Sequence, residues 1–398
     1  MRVFCEISGG TPFHGFAVKG LYRGKMKKLS YVLAASVFAL VAGVGTGMTN
    51  KRGGVSATGE NPDIITVVSP LQKSTVKTDN EYVADYFKNY TPNYGMNFYG
   101  RGDILAMNGV DLKWECSDGM YYSVYVDTKS NFSSADIYTT VKPEISIYNL
   151  LPDADYYWKV KRTDAAGEQA FSRVYTFRTR AYVRAVTIEG VSNVRDLGGW
   201  TTSDGKKIKY GTIYRSAQLE NVTENGKIEA KRLGIKTDVD LRGMSSAVSP
   251  LGDGVKRLNF NAPWYVDETD GNGNNTGLDG DDAFVQAFVN EIKACADPDN
   301  YPMIFHCSLG RDRTGTLAAM LLAVCGVEKS DIIKEYELSW LSEIACNNQY
   351  IQLSAITKLC NFIEGQNGGT FKDKAVGFLL GAGVKESDIT SIRNILLG

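Results

Sequence analysis

The sequence predicts a multidomain chain: an N-terminal all-β sandwich followed by an α/β domain with a central sheet flanked by helices. Three observations lead there. Between residues 63 and 181 aromatic and β-branched residues cluster and alternate with polar ones, as in "YYWKVKRT", where Tyr156, Trp158 and Val160 share one face and Tyr157, Lys159 and Lys161 the other. From 183 onward, single apolar strands alternate with helical patterns, as expected of α/β architecture. Within that second part, "IFHCSLGRDRTG" at 304–315 sets an apolar strand, a glycine-containing loop and a helix start in succession.

The totals bound the answer. The chain has 398 residues, 44 basic against 45 acidic, for a net charge of −1. That balance argues against a nucleic-acid partner, which ordinarily leaves a basic surplus. Only two histidines occur, His14 and His306, so a histidine-rich metal site and a second catalytic histidine are both excluded. The cysteines number 7, scattered and without a CxxC pair, too few for a disulfide scaffold.

Taken in order, residues 1–48 read as a leader. Lys25, Lys27 and Lys28 precede an apolar run at 31–44 that ends among small residues, the shape of a signal peptide at about 26–48. The run is shorter than the roughly 20 residues of a membrane span. Export to the periplasm, cell surface or medium is expected, with an uncleaved membrane anchor as the alternative. Met26 is a better start than Met1, and no cysteine follows the run to carry a lipid. Residues 49–62, "TNKRGGVSATGENP", read as a flexible linker. The sandwich is expected over 63–181, with "DLKWEC" and "YYSVYV" as strands split by a turn and "RVYTFRT" as the last strand. "LLPDADYYWKV", with Trp114 on an earlier strand, resembles the fibronectin type III module over about 105–180, although 71–104 is longer than that module ordinarily has there. A surface protein or a glycan is the expected partner of such a domain.

The α/β domain is expected over 182–398. "IKTDVDL" and "PMIFHC" read as buried strands. "DDAFVQAFVNEIKAC" places Phe284, Phe288 and Ile292 on one helical face with Asp281 or Asp282 as cap. "TGTLAAMLLAVCG" is an apolar helix closed by Gly326, and "KSDIIKEYELSWLSEI" and "KESDITSIRNILL" are amphipathic helices.

The loop after "PMIFHC" carries the chemistry. Backbone N–H groups of such a loop converge on one point, and the helix dipole adds positive potential. Cys307 at that point is an activated nucleophile, stabilised as an anionic ligand would be. Arg313 follows six residues later, close enough for its planar fork to bind two oxygens of one phosphate. Gly310 permits a backbone angle or a close approach that a Cβ would hinder. A lone cysteine or arginine would mean little, but His306, Cys307, Gly310, Arg313, Thr314 and Gly315 fall within ten residues of one another.

"HCSLGRDRTG" resembles the signature of cysteine-dependent protein tyrosine phosphatases, and more narrowly a bacterial secreted subgroup whose loop reads HCxxGKDRTG. "NVRDLGG" (193–199), "YRSAQL" (214–219), "DVDLRG" (238–243), "IIKEYELS" and the final "GVKESDITSIRNILL" extend the resemblance over about 190–398. It implies a tyrosine phosphatase-like catalytic domain needing neither cofactor nor metal. Cys307 would attack phosphorus and form a cysteinyl-phosphate. Arg313 and the loop residues Ser308, Leu309, Gly310 and Arg311 would hold the phosphate oxygens, Thr314 would donate to the cysteine sulfur, and His306 would orient the loop. The subgroup's favoured general acid carries over to Asp312, with Asp267, Asp270 and Asp240 as further candidates. Arg311 replaces the usual lysine, a residue linked in the family with phosphoinositides, so phosphotyrosine proteins and phosphoinositides are both expected substrate classes.

Arg195, Asp196, Arg215 and Arg242 read as buried ion pairs that set the loop, with a place at the pocket mouth as the alternative. A calcium loop from Asp270 fails, since position six is Asn275 and position twelve Asp281. The rival of another class is a catalytically weak phosphate-binding surface or adhesion protein. A rhodanese or arsenate reductase would not require the run from Arg311 to Thr314.

Overall fold

The computed structural model describes residues 64–346 and 353–398. The leader at 1–48 and the linker at 49–62 lie outside them. Among the described residues no helix is long and apolar enough to cross a membrane.

Nine strands form the first domain: β1 (Thr66–Ser69), β2 (Ser74–Lys77), β3 (Val110–Glu115), β4 (Tyr121–Asp127), β5 (Asp136–Thr140), β6 (Glu144–Ile147), β7 (Asp155–Thr163), β8 (Gln169–Phe171) and β9 (Tyr175–Arg180). One sheet runs β1-β3-β6, the other β2-β9-β7-β4-β5 with β8 beside β7. The two-residue period of β7 does what it predicts. Tyr156, Trp158 and Val160 are buried in a core shared with Leu112, Trp114, Val124 and Phe177. Lys159 points the other way, its ammonium 4.6 Å from the Phe132 ring.

The second domain is built on five strands: β10 (Arg195–Asp196), β11 (Ile213–Ser216), β12 (Thr237–Asp240), β13 (Lys256–Asn259) and β14 (Met303–His306). Their order is β10-β11-β14-β12-β13, parallel except for β10. Strands β11, β12 and β14 are buried on both faces, which matches the reading of β12 and β14 as buried strands. Ile304 and Tyr214 face a small core with Ala230 and Ile235 on one side. Met303, Phe305 and Ile213 face the large core on the other. Strand β14 lies between β11 and β12, so the chain leaves its C-terminal end at the crevice where the strand order switches, the usual ligand position in such sheets.

Helix α1 (Glu81–Asn89) precedes α2 (Glu224–Arg232), α3 (Asp282–Ala296), α4 (Asp312–Cys325), α5 (Lys329–Glu337), α6 (Glu343–Cys346), α7 (Leu353–Glu364), α8 (Phe371–Gly381) and α9 (Glu386–Leu397). Three of the helices, α3, α4 and α9, fall where the sequence reading put them, while the helix read over "KSDIIKEYELSWLSEI" is broken by a 3-10 turn at Leu338–Leu341 and the others were not read from sequence. Gly326 closes α4 with φ 95°, a left-handed cap that glycine adopts without a Cβ penalty. Asp281 sits at the start of α3 but makes no side-chain cap there.

The segment 81–108 corrects the expected division at 181/182. Although flanked by sandwich strands, its Val83, Tyr86, Phe98, Leu105 and Met107 are buried in the core of the α/β domain, against residues such as Leu338 and Trp340. It is a strap that leaves the sandwich after β2 and returns at β3. Asn80 fixes its two ends: its side chain caps α1 at Val83 N and donates to the carbonyls of Ile104 (2.7 Å) and Ala106 (2.6 Å). Phe98→Ala is therefore expected to destabilise the α/β domain by about 3–5 kcal/mol. In denaturant-dependent hydrogen exchange, amides of β14 should lose protection while those of β7 keep theirs.

Candidate active site

The loop between β14 and α4 owes its shape to what holds its carbonyls. Gln218 N donates to Ser308 O (3.2 Å), Asn193 Nδ2 to Leu309 O and Gly310 O (both 3.1 Å), and an Arg215 terminal nitrogen to Gly310 O (2.7 Å). In a planar trans peptide the following N–H points opposite to the carbonyl. Pinning the carbonyls of 308–310 outward therefore turns the N–H groups of 309–311 inward. Helix α4 adds its first-turn amides, since Arg311 at its cap makes no side-chain cap bond. Gly310 has φ 66°, and a Cβ there would collide with the carbonyl of Ser216, so the close approach anticipated from sequence is made to β11.

A buried ion triad sets those donors. Glu335 on α5 accepts from Arg195 Nε and from Arg215, each at 2.6 Å, and all three side chains are essentially inaccessible to solvent. Arg195 also donates to Asn193 Oδ1 (2.5 Å) and Ser339 Oγ (3.2 Å). Arg195 and Arg215 thus form the buried pairs read from sequence, away from the pocket mouth. Asp196 serves a second pair, with Arg184 at 2.9 Å, and accepts from the amides of Gly198 and Gly211.

Cys307 directly follows β14, almost wholly buried. His306 beside it is fully buried; its Nε2 lies 2.9 Å from Asp238 Oδ1, while Nδ1 is 3.4 Å from the carbonyl of Cys307. Arg313 makes no ion pair among the described residues, and its Nε and the hydroxyl of Thr314 are buried without hydrogen-bond partners. Burial pulls Arg313 below its ordinary value, and the nearby Cys307 and Asp312 pull it back up. A half-buried guanidinium without a paired carboxylate among the described residues favours an anionic ligand. Its carbon lies 4.7 Å from the centre of the Trp264 ring, which is 39% exposed.

Asp312 opens α4. Its Oδ1 accepts from Tyr265 Oη (2.9 Å) and Arg311 Nε (3.0 Å). Tyr265 Oη lies 2.7 Å from Tyr336 Oη; with the Tyr265 proton given to Asp312, Tyr336 donates to Tyr265. Arg311 also donates to the carbonyl of Ala345 (2.9 Å). The ion pair of Arg311 with Asp312 stiffens the loop start.

The other candidate acids stand apart. Burial pushes Asp240 up, but hydrogen bonds from Arg242 and the charge of His306 pull it further down, to about 2. It also pairs with Arg257. Arg242 and Arg257 both engage this carboxylate, an arrangement that suits a structural ion pair. Asp270 is engaged in its own turn with Asn272 and Asn274, whose hydrogen bonds draw it down. Asp267 is exposed, 3.9 Å from Lys358. Among the described residues no cluster of metal-ligating side chains occurs.

The sequence reading missed Glu335, Asn193, Trp264 and the Tyr265–Tyr336 pair. Two buried arginines within "NVRDLGG" and "YRSAQL" demand a carboxylate, and "IIKEYELS" offered it. Glu291 was missed as well. It is buried on α3 with both oxygens unpartnered, and burial pushes it well above the ordinary carboxyl range against the pull of Arg313.

Together these features define an α/β domain with a cysteine set in a cradle of inward-turned amides. Residues 186–358 match the model of the tyrosine phosphatase family. The chain is similar to a tyrosine-protein phosphatase-class protein of Cupriavidus necator, 26% identical over 176 residues, covering 38% of this chain and 61% of that protein. It is also similar to the triple specificity protein phosphatase PtpB of Mycobacterium tuberculosis (23% identical, 37% and 67% covered) and to a tyrosine-protein phosphatase of Nostoc commune (29%, 31% and 47%). The chain spans about half to two thirds of the length of these relatives. A crystal structure of the core catalytic domain of the PP-IP phosphatase SIW14 from S. cerevisiae covers 43% of this chain and 85% of that one, at 18% identity and a TM-score of 0.26. The family match and the relatives support a phosphatase-type reading of the α/β domain.

The Asp240 pairing has a pH signature. Its carboxyl is lowered from 3.8 to about 2 in the fold, so the stabilisation, about 2 kcal/mol, is present above pH ~4 and lost as pH falls toward 2. Urea unfolding of the wild type and Asp240→Asn should show a stability gap that narrows over that window. A gap independent of pH would separate the pairing from the carboxylate charge.

Proposed function

We propose that the chain is an exported protein-tyrosine phosphatase that hydrolyses phosphomonoesters through a cysteinyl-phosphate intermediate. The observation that carries this reading is the pinning of the 308–310 carbonyls, which leaves a cradle of N–H groups around Cys307 beside a half-buried Arg313 that has no ion pair among the described residues. Such preorganised donors stabilise the charge on the equatorial oxygens of a transferring phosphoryl group.

The Cys307 thiolate attacks phosphorus in line, the S–P bond forms, and the P–O bond to the leaving group breaks. Asp312 supplies the proton to the departing oxygen. Its Oδ1 accepts from Tyr265 and Arg311 at 2.9 and 3.0 Å and its Oδ2 only from Arg311 at 3.4 Å, so Oδ2 is the oxygen placed to deliver that proton. Water then attacks phosphorus, gives a proton back to Asp312, and the S–P bond breaks with Thr314 donating to the sulfur. The exposed indole of Trp264 stacked on Arg313 offers an apolar wall to an aromatic phosphoester and favours phosphotyrosine. Phosphoinositides are the alternative class, for which Arg311 would supply a second cation beside the phosphate. The two-sheet domain is read as fibronectin type III-like, with a surface protein or glycan as its partner.

Cys307→Ser should lower turnover of p-nitrophenyl phosphate and phosphotyrosine peptides by about 10⁴-fold or more; residual wild-type rates in that variant would sink the mechanism. Asp312→Asn should cost about 10²–10⁴-fold with alkyl phosphates, whose leaving groups need the proton, and far less with p-nitrophenyl phosphate. A loss equal for both substrates would leave Asp312 a structural role. Faster turnover of phosphoinositide vesicles than of phosphotyrosine peptides would favour the lipid alternative.

A further inference from the structure

The strap at 81–108 touches the domain where the anion loop is set. Tyr86 Oη donates to the carbonyl of Lys334 (2.8 Å), one residue before Glu335. Tyr90 Oη and the Asn93 amide both donate to Glu337 Oε1, each at 3.1 Å. Gly95 lies so close to the Trp340 side chain that a Cβ would collide with it. Ile104 N donates to the carbonyl of Leu341 (2.8 Å). These anchors span 334–341, and that same stretch contributes Glu335 to Arg195 and Arg215, and Ser339 to Asn193 and Arg195. Glu337 is fully buried, and its second oxygen has no hydrogen-bond partner, so the strap supplies the polar contacts of a carboxyl that water does not reach.

We propose that the strap positions the anion loop, with Tyr90 and Glu337 as positioning residues that act through the adjoining Glu335 turn. The route is short. Glu337 lies two residues from Glu335, Glu335 orients Arg215, and Arg215 holds the carbonyl of Gly310. At its other end the strap is tied to the exit from the sandwich: both oxygens of Asp79 accept the Tyr182 amide at 3.0 Å, and Phe87 stacks on the Tyr182 ring at 5.2 Å. The phosphate cradle is thus completed by residues that precede most of the sandwich in sequence. This proposal rests on the phosphatase reading of the loop.

The test uses the full chain carrying Tyr90→Phe or Glu337→Gln, with Tyr94→Phe as control, since Tyr94 bonds within the strap to Asp85. Two readouts are taken: kinetics on p-nitrophenyl phosphate with inorganic phosphate as competitor, and hydrogen exchange of the amides at 308–311. Expected in the first two variants is about a tenfold rise in KM and in the inhibition constant for phosphate, on the scale of one lost buried hydrogen bond. Exchange at 308–311 should speed up and the thermal midpoint change little, while the control stays within twofold of wild type. Unchanged exchange and unchanged KM in an active enzyme would overturn the positioning role and leave the phosphatase reading intact. Faster loop exchange in the two variants of a chain whose wild type turns over no phosphomonoester would keep the positioning role and overturn the phosphatase reading. A lower thermal midpoint alone, without a change at 308–311, would reduce the strap to a stabilising contact.

Discussion

The two hydrogen-bonded ion pairs from Glu335 to Arg195 and Arg215 hold the structure of the site together. All three groups are withdrawn from water, and desolvation alone makes such a triad costly. Apolar residues of equal volume would fill the space at less electrostatic cost. What they could not supply is a donor aimed at the carbonyl of Gly310 and a clamp on Asn193, whose amide holds the two adjoining loop carbonyls. The triad is a device of geometry: it fixes which way the peptide planes of 308–310 face, and hence where the loop's N–H groups converge.

A loop defined from outside is only as rigid as its supports. Asn193 and Arg195 come from the entry to the sheet, Arg215 from β11, Gln218 from the turn beyond it, and Glu335 from α5. None of these is near the loop in sequence. The strap belongs to the same set, because its tyrosines close the buried side of α5. Packing the strap into the large core, rather than between the sheets of the sandwich, makes the two domains share residues at the place where catalysis needs the least freedom.

Sequence pattern revealed the local half of this arrangement. The period of two in β7, the buried run of β14, the glycine closing α4 and the loop from His306 to Gly315 all follow from propensities and periodicities that act over a few residues. The supports were harder to see. Arg195 and Arg215 read correctly as buried cations, because arginines beside apolar strand residues need partners, but nothing local distinguishes Glu335 from the other acids of "IIKEYELSW". The stretch "NAPWYVDETDG" was read for its carboxylates. What it delivers is the ring of Trp264 against Arg313 and the hydroxyl of Tyr265 against Asp312, contacts fixed by a tertiary fold that brings 265 to 312 and 336. The strap was legible only as an excess of length, since a nine-residue helix gains its stability from the core it packs on and not from its own sequence.

The alternation of charge in Arg311, Asp312 and Arg313 follows from where the helix begins. Successive helical residues turn by about 100°, so positions two apart point to opposite sides of the first turn, about 200° around. Arg311 swings toward the carbonyl of Ala345 and folds back on Asp312, while Arg313 lies under Trp264. The two cations are thereby assigned different tasks, although only one residue separates them. Between them, Asp312 is held on one oxygen by Arg311 and by the Tyr265–Tyr336 pair. That arrangement fixes the direction of the carboxyl while its second oxygen keeps only a long contact of 3.4 Å to Arg311, and fixing direction is what the proposed proton donor beside an anion would require. A carboxyl placed freely at the mouth would turn away from a bound phosphate; one clamped from behind has no such freedom and, as the proposed acid, would meet the leaving oxygen from a defined side.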